Sequence, residues 1–129
     1  MNVLVIGDSC RDIFVYGNID RMSPEAPVPV IVPVYQKENA GMAGNVAANL
    51  ESLGANVKLI TNTEQIKKIR FVDERYNHMV LRVDEGDKCE RITNTDLSYS
   101  DYDAVIISDY CKGFLTKEDI ERISQACQC

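Results

Sequence analysis

Residues 40–50 read Ala40-Gly41-Met42-Ala43-Gly44-Asn45-Val46-Ala47-Ala48-Asn49-Leu50, a glycine-rich turn that runs into a helix. Glycine lets the backbone approach a ligand closely, because it has no Cβ. The start of a helix offers unpaired N–H groups and the positive end of the helix dipole. The amide of Asn45 both donates and accepts hydrogen bonds, which suits a polyol such as a sugar. Alone, such a stretch is more typical of an ordinary helix start, so its neighbours decide its meaning.

Short apolar runs flank this helix and predict buried parallel strands. The predicted strands cover residues 1–6, 57–61 and 103–109. The first helix is predicted over residues 44–53, with Gly54 as its C-terminal cap. A second helix is predicted to follow the N-cap Thr116 and to end near Ala126. The alternation of strands and helices predicts an α/β fold built on a parallel sheet.

Two other segments fit a parallel sheet poorly. Residues 12–35 contain a proline-rich stretch, and proline cannot donate to a strand ladder. Residues 70–83 read as a hairpin around 74–78. Together they predict a small antiparallel flap beside the sheet. Residues 64–70 are compatible with one helical turn, and the polar residues 84–101 are predicted to be mostly loop.

Composition limits the classes of function. The chain has 129 residues, enough for one domain of ordinary size with a real core. Its formal net charge of −6, without any basic run, argues against non-specific nucleic-acid binding. No apolar run approaches the roughly 18 residues needed to cross a bilayer, so no membrane span is expected. The N-terminus has no signal-peptide pattern, which favours a cytoplasmic protein.

The cysteines do not predict a metal site or a disulfide framework. They are Cys10, Cys89, Cys111, Cys127 and Cys129. Their number is odd, no CxxC pair occurs, and the single histidine, His78, is remote from all of them in sequence. Reduced thiols are therefore expected, and the metal content is predicted to be none.

Polar clusters follow the predicted strands. Asp8 and Asp12 come after the first strand, residues 41–45 lead into the helix, and Asp109 and Lys112 follow the last buried strand. In open α/β sheets ligands bind beyond the carboxyl ends of the strands, so these clusters are expected to meet at one rim. Carboxylates accept hydrogen bonds from sugar hydroxyls, and a lysine can hold a phosphate. For each aspartate alone, capping of a loop is an equal alternative.

Taken together, several ordered segments resemble the ribokinase-like (PfkB-type) carbohydrate kinases. The matching segments are Gly7-Asp8-x-x-x-Asp12, Tyr16-Gly17, Arg21-x-Ser23-Pro24-Glu25-Ala26-Pro27-Val28-Pro29-Val30, Ala40 to Ala47, Leu81-Arg82-Val83-Asp84 and Ser108-Asp109-Tyr110-x-Lys112-Gly113-x-Leu115-Thr116. The proline-rich segment is similar to one subgroup, the heptose-7-phosphate kinases. These are often the N-terminal half of a bifunctional heptose kinase and adenylyltransferase.

The resemblance implies a partial ribokinase-like, Rossmann-like sheet with helices and a small β lid. It implies a single truncated substrate-binding domain over residues 1–129, with lid strands at about 12–35 and 70–83. It also implies a substrate site formed by Asp8, Asp12, Gly41, Met42, Asn45, Asp109 and Lys112. Within it, Asp12 and Asn45 would contact sugar hydroxyls and Gly41 would allow close approach.

For other residues of the matching segments, the resemblance implies less direct roles. Asp8 would neighbour the site, and Asp109 and Lys112 would lie near the substrate or its phosphate. Arg82 and Asp84 would be either site or structural residues. Met42 replaces a glycine that is usual in the most similar family members, and its side chain would crowd the sugar.

The resemblance also implies a reaction, in which ATP with Mg²⁺ donates its γ-phosphoryl group to the sugar phosphate. The family's catalytic base belongs to a late Gly-Ala-Gly-Asp motif that also forms an anion hole. That motif is absent here, since Gly113 is the only glycine after Gly86. Relatives also carry an additional helix and strand after the position of Thr61.

Three interpretations therefore stay open. The chain is the sugar-phosphate-binding part of a heptose-7-phosphate-type kinase, a non-catalytic sugar-phosphate-binding or dimerising module, or one piece of a split kinase with a separate C-terminal half. The last strand, 104–107, is expected at an open sheet edge, and exposed apolar edges favour association. A homo-oligomer through the lid strands or this edge is therefore predicted.

Overall fold

The computed structural model describes residues 1–93 and 97–127. The strands are β1 (Asn2–Gly7), β2 (Ser9–Met22), β3 (Pro29–Met42), β4 (Asn56–Ile60), β5 (Lys67–Asp73), β6 (His78–Glu85) and β7 (Ala104–Ser108). The α-helices are α1 (Ala43–Ser52) and α2 (Lys117–Ala126), and a 3₁₀ turn covers Tyr99–Asp101. Cys129 and part of the predicted loop, 94–96, lie outside the described residues. In the described part of the chain no helix is long and apolar enough to cross a membrane.

A three-stranded parallel sheet of order β4-β1-β7 forms the core of the molecule. The central strand β1 is apolar on both faces because both faces are covered by helices. Val3 and Val5 belong to one buried cluster with Ala47 of α1, and Leu4 belongs to another with Ile123 of α2. This arrangement confirms the predicted α/β fold with a parallel sheet. It also confirms that β7 lies at an edge of that sheet.

A second sheet, of order β3-β2-β5-β6, stands beside the first, and we call it the lid sheet. Its outer pairs, β2–β3 and β5–β6, are antiparallel, but its central pair, β2–β5, is parallel. The predicted purely antiparallel flap is therefore wrong at its centre. The reason lies in the chain order: the chain passes from β1 of the parallel sheet into β2, and from β4 of the same sheet into β5. Because β1 and β4 run in the same direction, β2 and β5 do so as well.

The lid strands are also longer than the predicted ranges of 12–35 and 70–83. Strand β2 continues through Gly17, a residue type common in turns, with a register shift between Tyr16 and Gly17. A Cβ at Gly17 would lie 2.5 Å from the carbonyl oxygen of Val32 on β3. Gly17 thus serves a close approach of two strands, rather than a turn.

The predicted glycine-rich turn at 40–44 is likewise mostly regular structure. Ala40 to Met42 complete β3, and α1 begins at the next residue. Only Met42 has a turn-type backbone, with φ 56° and ψ −130°. The change from strand to helix therefore takes place at a single residue.

The connection from β4 to β5, residues 61–66, contains no helical turn, which corrects that expectation. It is tied to the root of β2. The Ser9 N–H donates to Asn62 Oδ1 at 2.7 Å, and Thr61 Oγ1 donates to Ser9 Oγ at 2.8 Å. The Arg11 N–H donates to the Ile66 carbonyl at 2.8 Å. The two points where the chain passes into the lid sheet are thus joined to each other.

Candidate functional site

Asp8 brings the three predicted polar clusters to one rim of the parallel sheet. Its carbonyl accepts a hydrogen bond from the Ala43 N–H, at the start of α1, at 3.0 Å. Its carboxylate accepts the N–H groups of Tyr110 and Lys112, each at 2.8 Å. The side chain of Asp8 is fully buried. Both of its oxygens therefore hold the loop after β7, which is a positioning role.

Asp12 lies near the root of the lid sheet, beside Gly41 on β3. Its Oδ1 accepts a hydrogen bond from Arg70 Nη1 of β5 at 2.8 Å. A Cβ at Gly41 would lie 2.5 Å from Asp12 Oδ2 and 2.5 Å from Cys10 Sγ. The glycine therefore makes room for the carboxylate of Asp12. The guanidinium of Arg70 also stacks over the ring of Phe14, 5.1 Å from its centroid.

Register places several charged side chains on the same face of the lid sheet. Across the four strands, one row consists of Asn39, Asp12, Lys68 and Asp84, and the next of Lys37, Phe14, Arg70 and Arg82. Directly paired residues share a face, because side chains alternate along each strand. We call Asp12, Lys68, Arg70, Arg82 and Asp84 the polar lid face.

The polar lid face lies near the loop after β7. The charge of Lys112 in that loop acts on the carboxyl group of Asp84 and on the thiol of Cys10. Lys112 Nζ itself forms an ion pair with Asp87, which raises the pKa of the lysine. Because Asp8 fixes the backbone of Lys112, the loop and the polar lid face are held near each other, and we call the space between them the cleft.

Ion pairs dominate the electrostatics of this cleft. Arg82 donates Nε and Nη2 to the two oxygens of Asp84 at 2.7 and 2.8 Å. This contact lowers the pKa of Asp84 and raises that of Arg82. Burial raises the pKa of the Cys10 thiol, and the charge of Asp12 raises it further. The thiol of Cys10 is thus kept protonated in the floor of the cleft.

The remaining predicted residues have mixed positions. Asn45 is exposed in the first turn of α1. Asp109 is exposed, and its Oδ1 accepts the Cys111 N–H at 2.9 Å, which is the loop-capping alternative raised from the sequence. Met42 is buried in a cluster with Cys10 and Ile66. Its side chain thus packs against Cys10 and Ile66 instead of projecting into solvent.

Sequence reasoning missed Lys68 and Arg70. Both lie within residues 64–70, which the sequence did not assign clearly to a helical turn or to a strand. Their alternation with Lys67 and Ile69 is the available signal, since it places Lys68 and Arg70 on one face once a strand is assumed. Their pairing with Asp12 has no local signal, because the partners are distant in sequence.

The described residues show no preformed metal-binding group. Within 1–93 and 97–127, no three or more His, Cys, Asp or Glu side chains are grouped to hold a metal ion. The sequence also has no Gly-Ala-Gly-Asp segment. A cavity of about 450 Å³ lies away from the polar lid face, between β4 and residues 90–93. Its lining offers no cluster of glycines or cations for a nucleotide.

Comparison with known proteins adds independent findings. No protein-family model matches the chain. The bifunctional protein HldE of Caulobacter vibrioides is 34% identical over 148 residues, covering 88% of this chain and 30% of that protein. HldE of Rhodopseudomonas palustris strain HaA2 is 34% identical over 161 residues, covering 96% of this chain and 33% of that protein. These alignments are longer than the chain itself, so the relatives contain residues without a counterpart here.

The fold has a solved counterpart. A ribokinase from Cryptococcus neoformans, crystallised in complex with ADP, matches 99% of this chain and 46% of its own, with a TM-score of 0.50 and 13% identity. That likeness shows the fold. The chain spans about a third of the length of its HldE relatives. It belongs, over most of its own length, to the family of the HldE bifunctional proteins, and its fold is ribokinase-like.

Proposed function

We propose that the chain binds a sugar phosphate, D-glycero-D-manno-heptose 7-phosphate, in the cleft between the polar lid face and the loop after β7. The observation that carries the proposal is the arrangement of Asp12, Gly41 and Arg70. Arg70 orients the carboxylate of Asp12, and Gly41 leaves space around it. A fixed, partly exposed carboxylate is suited to accept hydrogen bonds from neighbouring sugar hydroxyls.

Each residue of the cleft then has a defined task. Asp12 accepts hydrogen bonds from sugar hydroxyls, and Asn45 supplies an amide at the start of α1. Asp8 holds the loop that carries Asp109 and Lys112. Lys112 places a positive charge at the opposite side of the cleft. The lid sheet covers the sugar and excludes water from it.

Phosphoryl transfer requires more than these residues supply. The reaction depends on positioned phosphates, charge stabilisation and an oriented nucleophile. Among the described residues the cleft holds no nucleotide site, and the sequence carries no Gly-Ala-Gly-Asp base. We therefore assign this chain the substrate-binding part of an ATP- and Mg²⁺-dependent heptose kinase that acts in the cytoplasm. The remaining machinery would come from further sequence or from a separate chain.

A second candidate is a non-catalytic sugar-phosphate-binding or dimerising module. It is favoured by the same observation that limits catalysis, the lack of a Gly-Ala-Gly-Asp base in the sequence. A split kinase is distinguished from it by a partner chain that carries a Gly-Ala-Gly-Asp motif and restores turnover.

Calorimetric titration with heptose 7-phosphate, with and without ATP and Mg²⁺, tests the proposal. Binding is expected for the wild-type chain and is expected to disappear in Asp12→Ala and Asn45→Ala. Matched controls are Asp20→Ala, an exposed β2 aspartate also paired with an arginine, and Asn49→Ala, an exposed asparagine of α1. Both controls should bind as wild type. Absence of binding to the wild-type chain would reject the proposed function.

A further inference from the structure

Lys68 occupies the centre of the polar lid face. It pairs in register with Asp12 on β2 and with Asp84 on β6, so all three side chains lie on the same face. Its neighbour Lys67 lies on the opposite face, where its Nζ is 3.5 Å from Glu85. Two adjacent lysines are therefore separated by the sheet.

The other cations of the cleft already have carboxylate partners. Arg70 is paired with Asp12, Arg82 with Asp84, and Lys112 with Asp87. Lys68 forms no ion pair within the part of the chain that the structure describes. Its charge nevertheless acts within the cleft. It contributes to lowering the pKa of Asp84, and it opposes the rise in the pKa of the Cys10 thiol. Among the described residues, Lys68 is thus a half-buried positive charge without a counter-ion.

The surrounding carboxylates do not oppose an anion at Lys68. Both oxygens of Asp84 are engaged by Arg82, and one oxygen of Asp12 is engaged by Arg70. These arginines offset the negative charge on either side of the lysine. An incoming phosphate would therefore meet Lys68 with the guanidinium of Arg82 nearby.

We infer that Lys68 is the phosphate-binding residue of this cleft and selects phosphorylated over unphosphorylated sugars. The inference rests on the proposed function, because it assigns the phosphate of the same ligand. Neighbouring strands lie roughly 4.8 Å apart. A ligand whose hydroxyls reach Asp12 can therefore place a phosphate, a few bonds away, on Lys68. A lysine suits this task as a compact charge on a flexible stem.

The test compares Lys68→Met with the matched control Lys67→Met, which changes the adjacent lysine on the opposite face. Titrations use heptose 7-phosphate, unphosphorylated heptose, glucose 6-phosphate and inorganic phosphate. Lys68→Met is expected to weaken heptose 7-phosphate binding by at least about tenfold, as for loss of a charged hydrogen bond. Its affinity for unphosphorylated heptose should not change. Lys68→Arg should restore part of the loss, and thermal unfolding should verify that each variant is folded.

The outcomes separate this inference from the proposed function. Equal heptose 7-phosphate affinities for Lys68→Met and Lys67→Met would overturn the role of Lys68 and leave the proposed function intact. The chain could instead bind inorganic phosphate or glucose 6-phosphate in a way that requires Lys68, while not binding heptose 7-phosphate. That result would support the phosphate-binding role of Lys68 and reject heptose 7-phosphate as the ligand. If the wild-type chain binds none of these anions, both proposals fail.

Discussion

At the scale of single residues, Gly41 controls the geometry of Asp12. Any side chain at Gly41 meets the carboxylate of Asp12 and the sulfur of Cys10 at 2.5 Å, well inside van der Waals contact. Gly41→Ala is therefore expected to displace Asp12 from Arg70 and to weaken sugar-phosphate binding by at least about tenfold, as loss of a charged hydrogen bond would. Calorimetry measures this. Gly54→Ala is the control for lost stability, because its φ of 87° strains an alanine while no side chain lies within 4 Å to be displaced, so it should bind as wild type. Wild-type affinity in Gly41→Ala would contradict the assigned role of Asp12.

Met42 combines a strained backbone with a buried side chain. Its φ of 56° and ψ of −130° favour glycine, while its side chain packs with Cys10 and Ile66. Met42→Ala loses the packing and keeps the strain, whereas Met42→Gly loses the packing and relieves the strain. We expect the glycine variant to be more stable than the alanine variant by about 1 kcal/mol in urea unfolding.

The same two substitutions at Met22, an exposed residue of β2, serve as the control. There the order should reverse, with alanine more stable than glycine, because glycine weakens a strand. If alanine is more stable than glycine at both positions, the backbone of Met42 is not strained.

At the scale of elements, the buried carboxylate of Asp119 joins α2 to the segment that precedes β7. It accepts Nε and Nη2 of Arg91, both at 2.7 Å, and Nη2 of Arg122 at 2.8 Å. It also completes a capping box with Thr116. The Arg91 guanidinium, together with the smaller effects of the Thr116 contacts, lowers the pKa of Asp119 below its usual value of 3.8.

A lowered pKa in the folded state gives stability that is present above pH 3.8 and is lost as the pH falls further. Asp119→Asn should therefore lower the free energy of unfolding by about 1–3 kcal/mol at pH 7, and by less at about pH 3. Urea titrations at both pH values measure the difference. Glu121→Gln, which breaks an exposed pair with Lys117 on the same helix, should change it by less than about 1 kcal/mol. A loss from Asp119→Asn that is the same at both pH values would contradict the pairing.

The elements also show what sequence can predict. Strand β1 and the N-cap of α2 were predictable because apolar runs and capping residues are local signals. The length of β2 and β3 was not, because their outer parts are held by cross-strand pairing and carry no clean alternation. In the candidate site, Asp8 and Asp12 were found from their places after strands. Lys68 and Arg70 were not, because only the parallel pairing of β2 with β5 brings them beside Asp12.

At the scale of the whole molecule, open edges and exposed apolar side chains predict association. Strands β4 and β7 are the edges of the parallel sheet. In the lid sheet, Val32 and Val34 of β3 are more than half exposed. We expect a homo-oligomer at micromolar concentration, formed through the lid strands or a sheet edge, and sedimentation velocity measures it.

The double variant Val32→Lys with Val34→Lys locates that interface. Dissociation to monomer would assign it to β3 of the lid sheet, and an unchanged oligomer would exclude Val32 and Val34 from it. Leu53→Lys, an exposed residue after α1, serves as the control. A monomeric wild-type chain would refute the expected association.

The hydrogen bonds between Ser9 and Asn62 have a mechanical consequence. Because they fasten the start of β2 to the segment that leads into β5, we expect the lid sheet to rotate about this junction rather than to slide across the rim. On rotation, the row containing Asp12 and Lys68, next to the axis, travels a short arc. The distant stacked rings of Tyr16 and Tyr35 sweep a much longer one. The inner row would thus set how tightly a ligand is held, and the outer aromatic row would set how quickly it is captured and released.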